Sequence, residues 1–193
     1  MDEKDAALKA YNNIYLEIIM RYKEQIEERE GLYLADLPKL VTPNDENVVL
    51  LAKELQGNFP VFDYDANFPE AARLAYEYVR NRITPISLPI QFWLRPAQTI
   101  RYSAGDFFDK AVLLCSLLIA MGNVSSRVIV VAKNEERAFV VYAEFGGGLI
   151  AIDLEKGVKD YGSIDSLLRE LKVDSNEDTT AYEFNDKMYR DIV

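Results

Sequence analysis

The chain of 193 residues has no histidine and a single cysteine, Cys115. The first absence excludes every Ser-His-Asp and Cys-His-Asp triad, every His-ligated metal site and the usual general base near neutral pH. The second excludes an intrachain disulfide and a Cys-rich zinc centre. Positive charge is scarce too. Lys and Arg number 22 against 32 Asp and Glu, a net charge of −10. No local basic patch offsets it, so nucleic acid is not expected as a partner. Long apolar runs are missing: the longest, Ala111 to Met121, is interrupted by Ser116 and is far too short to span a bilayer. The start, Met1-Asp2-Glu3-Lys4-Asp5, lacks the apolar core of a signal peptide. The expectation is a cytoplasmic protein with no membrane partner. What is present, 49% hydrophobic and 28% charged residues, suffices for a packed core, and the length suits one domain.

Residues 3–30 read as one long helix. Asp2, Glu3 and Asp5 suit the positive end of its dipole, and Gly31 is its expected stop. Leu8, Tyr11, Tyr15, Ile18, Tyr22 and Ile26 recur at spacings of three and four, widened by Ile14 and Ile19. The favoured reading packs this stripe on the chain's own domain; the alternative is a homo-oligomer contact. The division follows: 1–36 a helical extension, 37–193 one compact domain. Leu37-Pro38 to Pro43-Asn44 reads as a linker and Asp45 to Gln56 as a helix ended by Gly57. A third helix opens at Pro69 and reaches Arg82. Thr84 to Pro96, with Pro85 and Pro89, reads as an ordered loop. Phe107 to Met121 is apolar almost all round and is expected as a buried central helix. The period then changes from 3.6 to 2. Strands are expected at 127–132, 138–145 and 149–153, with Gly146-Gly147-Gly148 turning between the last two. Residues 164–171 read as a short helix, 173–180 as a polar loop and 181–193 as a final strand or short helix. Helices first and an antiparallel sheet afterwards argue an α+β fold.

Gly105-Asp106-Phe107-Phe108-Asp109-Lys110-Ala111 opens the central helix. The segment resembles the transglutaminase-like superfamily, with its papain-like fold, in which it runs Gly-Asp-Cys-x-Asp-Lys-Ala. Pro96-Ala97-Gln98-Thr99-Ile100 is similar to the element just upstream in that family, and Tyr78-Val79-Arg80-Asn81 with Ile83 to the helix before it. Thr42-Pro43-Asn44-Asp45 with Leu51 to Leu55 resembles its leading helix. Ser125-Ser126-Arg127-Val128 resembles the turn into the first strand, and Leu149 to Asp153 the strand that ends in the third triad residue. The resemblance spans residues 42–160. It implies a transglutaminase-like core for 37–193, with the central helix packed on an antiparallel sheet.

The family chemistry uses a thiolate at the helix N-terminus, a histidine base and an orienting aspartate. By resemblance those positions fall on Phe107, Arg137 and Asp153, so only the aspartate is kept. Phenylalanine carries no nucleophilic atom, and a guanidinium with a pKa above about 12 is no base near pH 7. The resemblance therefore implies a catalytically inactive member, a peptide- or protein-binding or scaffolding module. The alternatives are an enzyme of another class in the same cleft, carboxylate-based or metal-assisted, and an oligomer-forming subunit. No cofactor and no metal is called for. Arg137 is expected to pair bidentately with Asp153; otherwise it holds an anionic group such as a peptide carboxylate at the cleft mouth. Phe107 either fills the volume of the former thiol or, with Phe108, floors an apolar pocket. Asp106 and Asp109 are expected to cap the helix, with a carboxylate metal site alongside Asp153 or Glu144 as the lesser alternative. Trp93 reads equally as a stacking anchor or as packing. Cys115, two turns into the helix, is expected to be buried and inert. The ligand-binding candidates are thus Trp93, Asp106, Phe107, Phe108 and Arg137.

Overall fold

Two helices lead the chain, α1 (Glu3–Arg21) and α2 (Lys23–Glu30), in a computed structural model that describes residues 3–30, 34–90, 92–134, 136–173 and 179–193. A 3₁₀ helix (Leu34–Leu40), α3 (Glu46–Gln56) and α4 (Tyr64–Arg82) follow. Then come a two-residue strand β1 (Thr84–Pro85), α5 (Pro96–Tyr102), a matching strand β2 (Ala104–Gly105) and α6 (Phe107–Ala120). The C-terminal part carries β3 (Arg127–Lys133), β4 (Glu136–Phe145), β5 (Gly148–Asp153), β6 (Gly157–Tyr161), α7 (Ile164–Glu170), β7 (Thr179–Phe184) and β8 (Tyr189–Asp191). The last six strands form one antiparallel sheet in the order β6-β5-β4-β3-β7-β8. This is the expected α+β architecture, with the central helix buried against an antiparallel sheet and helices ahead of it.

Strand periodicity explains how α6 finds its place. Val128 and Val130 on β3, Val141 and Ala143 on β4, Ile150 and Ile152 on β5, and Phe184 on β7 point to one face. There they pack against Val112, Leu114, Leu118 and the rest of α6, which is apolar on every side and is covered in turn by α3 and α4. The alternate residues, Ile129, Val131, Val140, Leu149, Ala151 and Ala181, face Leu167 of α7. Both sheet faces are covered, so both read as apolar. Ser116, the one polar interruption deep in α6, is fully buried. Its hydroxyl donates to the Val112 carbonyl at 2.8 Å and accepts the Thr42 N–H at 3.1 Å, stitching the approach to α3 onto the core.

Several expectations are corrected. The helix over 3–30 is two helices, parted at Tyr22, whose N–H is shared between the carbonyls of Ile18 and Ile19, a local 3₁₀ tightening. Gly31 lies outside the described residues. The stretch read as a linker begins inside the 3₁₀ helix, and Leu37, Leu40 and Val41 are core residues. Helix α4 begins at Tyr64, not Pro69. Asp63 caps it by accepting the Ala66 N–H at 2.9 Å, and Pro69 lies within the second turn. The Pro-rich segment closes in the short helix α5, with Pro96 at its first position. Strand β6 was not expected, and residues 179–191 supply two strands and no helix. The stripe of α1 does not pack on the chain's own domain. Leu8, Ile14, Tyr15 and Ile18, and Tyr22 just after the helix, are exposed, Tyr15 by 61%; Ile19 and Ile26 are half-buried, and the Tyr11 side chain lies outside the described residues.

Candidate functional site

The first turn of α6 is assembled by two carboxylates. Asp106 caps the helix, its Oδ1 accepting the Asp109 N–H at 2.8 Å, and Asp109 returns the bond, its Oδ2 accepting the Asp106 N–H at 3.1 Å. The capping expectation for this pair is met. Asp109 also reaches outward: its Oδ1 accepts the Leu94 N–H at 2.8 Å, fastening the Pro-rich loop to the helix. It is only 2% exposed. Burial pushes its carboxyl up to about 7, the Asp106 charge adding to the rise, while the two backbone donors pull the other way. Gly105 makes room for this side chain. A Cβ there would stand 2.9 Å from the Asp109 Cβ and 3.2 Å from the Thr99 Cγ2, so the position requires glycine.

The two adjacent phenylalanines part company. Phe108 is buried, with ring centroids 5.4 Å from Trp93, 5.9 Å from Phe139 and 6.0 Å from Phe184. It is core, and its place among the ligand-binding candidates is withdrawn. Phe107 is 41% exposed and does not fill a closed site. It stands between two cavities. The larger, about 460 Å³, is lined by Ile86, Leu88, Ile90, Phe92 and Trp93 from the loop, together with Asp106, Phe107 and Arg137. The smaller, about 150 Å³, is lined by Phe107, Arg137, Phe139, Asp153, Glu155 and Lys156 among others. Phe107, Arg137 and Asp153, the three positions singled out by resemblance, thus converge on one cavity. Trp93 is half-buried, its ring tilted 38° against that of Phe108, and it also lines the larger cavity, so it serves both packing and lining.

The expected Arg137–Asp153 pair does not form. Asp153 closes its own turn: Oδ1 accepts the N–H groups of Glu155 and Lys156 at 2.9 and 3.0 Å, and Oδ2 meets the Lys156 ammonium at 3.2 Å. Strand pairing gives the reason. Asp153 sits opposite Val140, three residues beyond Arg137, and so shares the side-chain parity of Val140 and not of Arg137. Arg137 itself is exposed and, among the described residues, makes no hydrogen bond or ion pair. Its charge is felt by Tyr182, whose hydroxyl burial pushes up while Arg137 pulls it down.

The carboxylates weighed for a metal do not gather. Asp109 is spent on two backbone donors, Asp153 on its turn and Lys156, and Glu144 faces Arg127 at 3.7 Å. Among the described residues, no three His, Cys, Asp or Glu side chains are placed to hold a metal. Cys115 is fully buried, and burial pushes its thiol well above the ordinary range, as the inert reading requires. No described helix is long and apolar enough to cross a membrane. The sequence reading missed Ile86, Leu88, Ile90 and Phe92 as cavity walls. Their signal was apolar side chains alternating with prolines in a loop, where solvated polar residues are the norm.

No protein-family model and no curated protein matches this chain. Among solved structures it is similar to LapG of Legionella pneumophila in a calcium-bound state, at 16% identity over 75% of this chain and 87% of that one, with a TM-score of 0.45. It is also similar to a candidate protease from Parabacteroides distasonis, at 16% identity over 65% of this chain and 30% of that one, with a TM-score of 0.41.

Proposed function

We propose that this chain is a catalytically inactive transglutaminase-like protein that uses the cleft at the mouth of α6 to bind a segment of peptide or protein. The observation that carries the reading is Phe107: at the position of the nucleophile it is 41% exposed and separates two open cavities. A filled cleft would point to a scaffold alone, whereas an open one lined by aromatics suits a ligand. The chemistry supports inactivity. The chain has no histidine, position 107 offers no nucleophile, Arg137 offers no base, and Cys115 is buried. Two assays test this together. Purified protein with a fluorogenic peptide amide and with a glutamine-donor peptide plus a primary amine is expected to give no turnover. A peptide-display library panned on the chain is expected to enrich sequences that are lost on Phe107→Asp. Turnover abolished by Cys115→Ala, or the same peptides enriched on Phe107→Asp, overturns the reading.

A second reading is favoured by the exposed stripe of α1. A lone 19-residue helix gains little stability in water without a partner for its apolar face. Self-association through Leu8, Tyr15, Ile18 and Tyr22 supplies one. Light scattering after size exclusion is expected to give a dimer or larger species that Ile18→Lys reduces to monomer. A monomer at every concentration removes this reading and leaves the first intact.

A further inference from the structure

The cleft at the mouth of α6 combines apolar side chains with one charge of each sign. Its larger cavity is walled by Ile86, Leu88, Ile90, Phe92, Trp93 and Phe107, and its volume lies within the roughly 300–1,000 Å³ typical of ligand pockets. Two charged residues border it. Asp106 is engaged as the helix cap. Among the described residues Arg137 makes no hydrogen bond or ion pair: Asp153 has been taken by Lys156 and by two backbone donors. In a chain with a net charge of −10, a guanidinium with no ion-pair partner among the described residues, at the rim of a cavity whose one carboxylate is Asp106, selects by charge. Arg137 also borders the smaller cavity, whose walls include Asp153, Glu155 and Lys156. A ligand seated on Arg137 therefore reaches both cavities, the larger walled by more apolar side chains and the smaller mixing Phe107, Phe139 and Leu154 with those charged groups.

We infer that Arg137 is the specificity-determining residue of the cleft and binds the free carboxylate of a peptide C-terminus. The apolar last side chain enters the larger cavity, and the preceding main chain runs past Phe107 toward the smaller. This rests on the binding reading above and names its ligand class. The last residue of a peptide fits the geometry because its carboxylate, side chain and main chain diverge from one carbon. Guanidinium is suited to the carboxylate through its paired, fixed donors.

Trp93 is the only tryptophan and lines the larger cavity, so its fluorescence reports occupancy directly. The probe is a set of acetylated tetrapeptides with every residue type at the last position, prepared as free acids and as C-terminal amides. The full chain is titrated with each. Free acids with apolar last residues are expected to bind about 10- to 100-fold more tightly than their amides, the range of a charged hydrogen bond. Arg137→Ala is expected to abolish the acid preference, and Arg137→Lys to keep only part of it. Arg137 is exposed, so both variants are expected to keep the melting temperature of the parent. Equal affinity for acids and amides, or an acid preference that survives Arg137→Ala, overturns the inference while leaving peptide binding intact. So does an amide with an internal aspartate that binds as tightly as the best free acid, which assigns Arg137 to acidic side chains instead. Absence of binding by any probe at millimolar concentration overturns this inference and the binding reading together.

Discussion

The Oδ1 of Asp109 accepts the backbone N–H of Leu94 at 2.8 Å, and with the Trp93–Phe108 ring contact it fastens the loop to the first turn of α6. The same carboxylate closes the capping box with Asp106, so one buried group sets both the helix start and a cavity wall.

The pH dependence of this group has a defined sign. Its folded pKa of about 7 lies above the ordinary value of 3.8 because burial, and then Asp106, disfavour the charge. Between those two values the folded state holds more protons than the unfolded state. Its contribution to stability is therefore fully present below about pH 4 and lost as pH rises toward 7. Urea unfolding of the parent and of Asp109→Asn at pH 5 and pH 8 checks this. The stability gap between the two proteins is expected to be larger at pH 5, since each pKa unit corresponds to about 1.4 kcal/mol. An equal gap at both pH values refutes it.

Phe107 and Phe108 are neighbours with opposite expected costs. Phe108→Ala opens a cavity among Trp93, Phe139 and Phe184 and is expected to destabilise by about 3–5 kcal/mol. Phe107→Ala removes a ring that is 41% exposed and is expected to cost about 0.5 kcal/mol or less. Denaturant midpoints for the two variants decide it; similar losses would mean that Phe107 is packed after all.

A thiol placed at position 107 tests the nearness of Arg137. The native chain is expected not to react with a thiol reagent until unfolded, because Cys115 is fully buried. Phe107→Cys is expected to add one reactive thiol. The Arg137 charge, sharing both cavities with that position, favours the thiolate. Adding Arg137→Ala is therefore expected to slow alkylation at pH 7 by about two- to tenfold. An unchanged rate means that the guanidinium does not face position 107.

On the opposite face of the sheet, the Tyr142 hydroxyl accepts from Arg127 at 2.7 Å and donates to the Glu183 carboxylate at 2.7 Å. Glu183 is fully buried, and Arg190 approaches its other oxygen at 2.7 Å. Tyr142→Phe leaves a buried carboxylate oxygen short of a donor and is expected to cost about 1–3 kcal/mol in urea unfolding. A loss below about 0.5 kcal/mol shows that water replaces the hydroxyl.

Much of this molecule was legible in one dimension, where the governing rule is local. Apolar residues on every side of 107–120 demanded burial, and alternation in 127–153 demanded strands with a turn at Gly146-Gly147-Gly148, the last of which the structure gives to β5. Asp106 and Asp109 were expected as caps of that helix, and the structure has them so. The missing histidine limited the chemistry of the site before any fold was known. Other features depended on which surfaces met. Leu37 and Leu40 look like linker residues until the core that receives them exists, and the α1 stripe gives no sign in sequence that it stays exposed. Adjacent and identical, Phe107 and Phe108 diverge because successive helix positions lie about 100° apart, turning one ring into the core and the other toward solvent. The fate of Arg137 was also decided in three dimensions. Sequence set it sixteen residues before Asp153, but strand register gave the two opposite parity and handed Asp153 to Lys156. Periodicity fixes which side of its own element a residue occupies, whereas pairing between elements fixes its neighbours, and the free guanidinium at the cleft is a product of that second step.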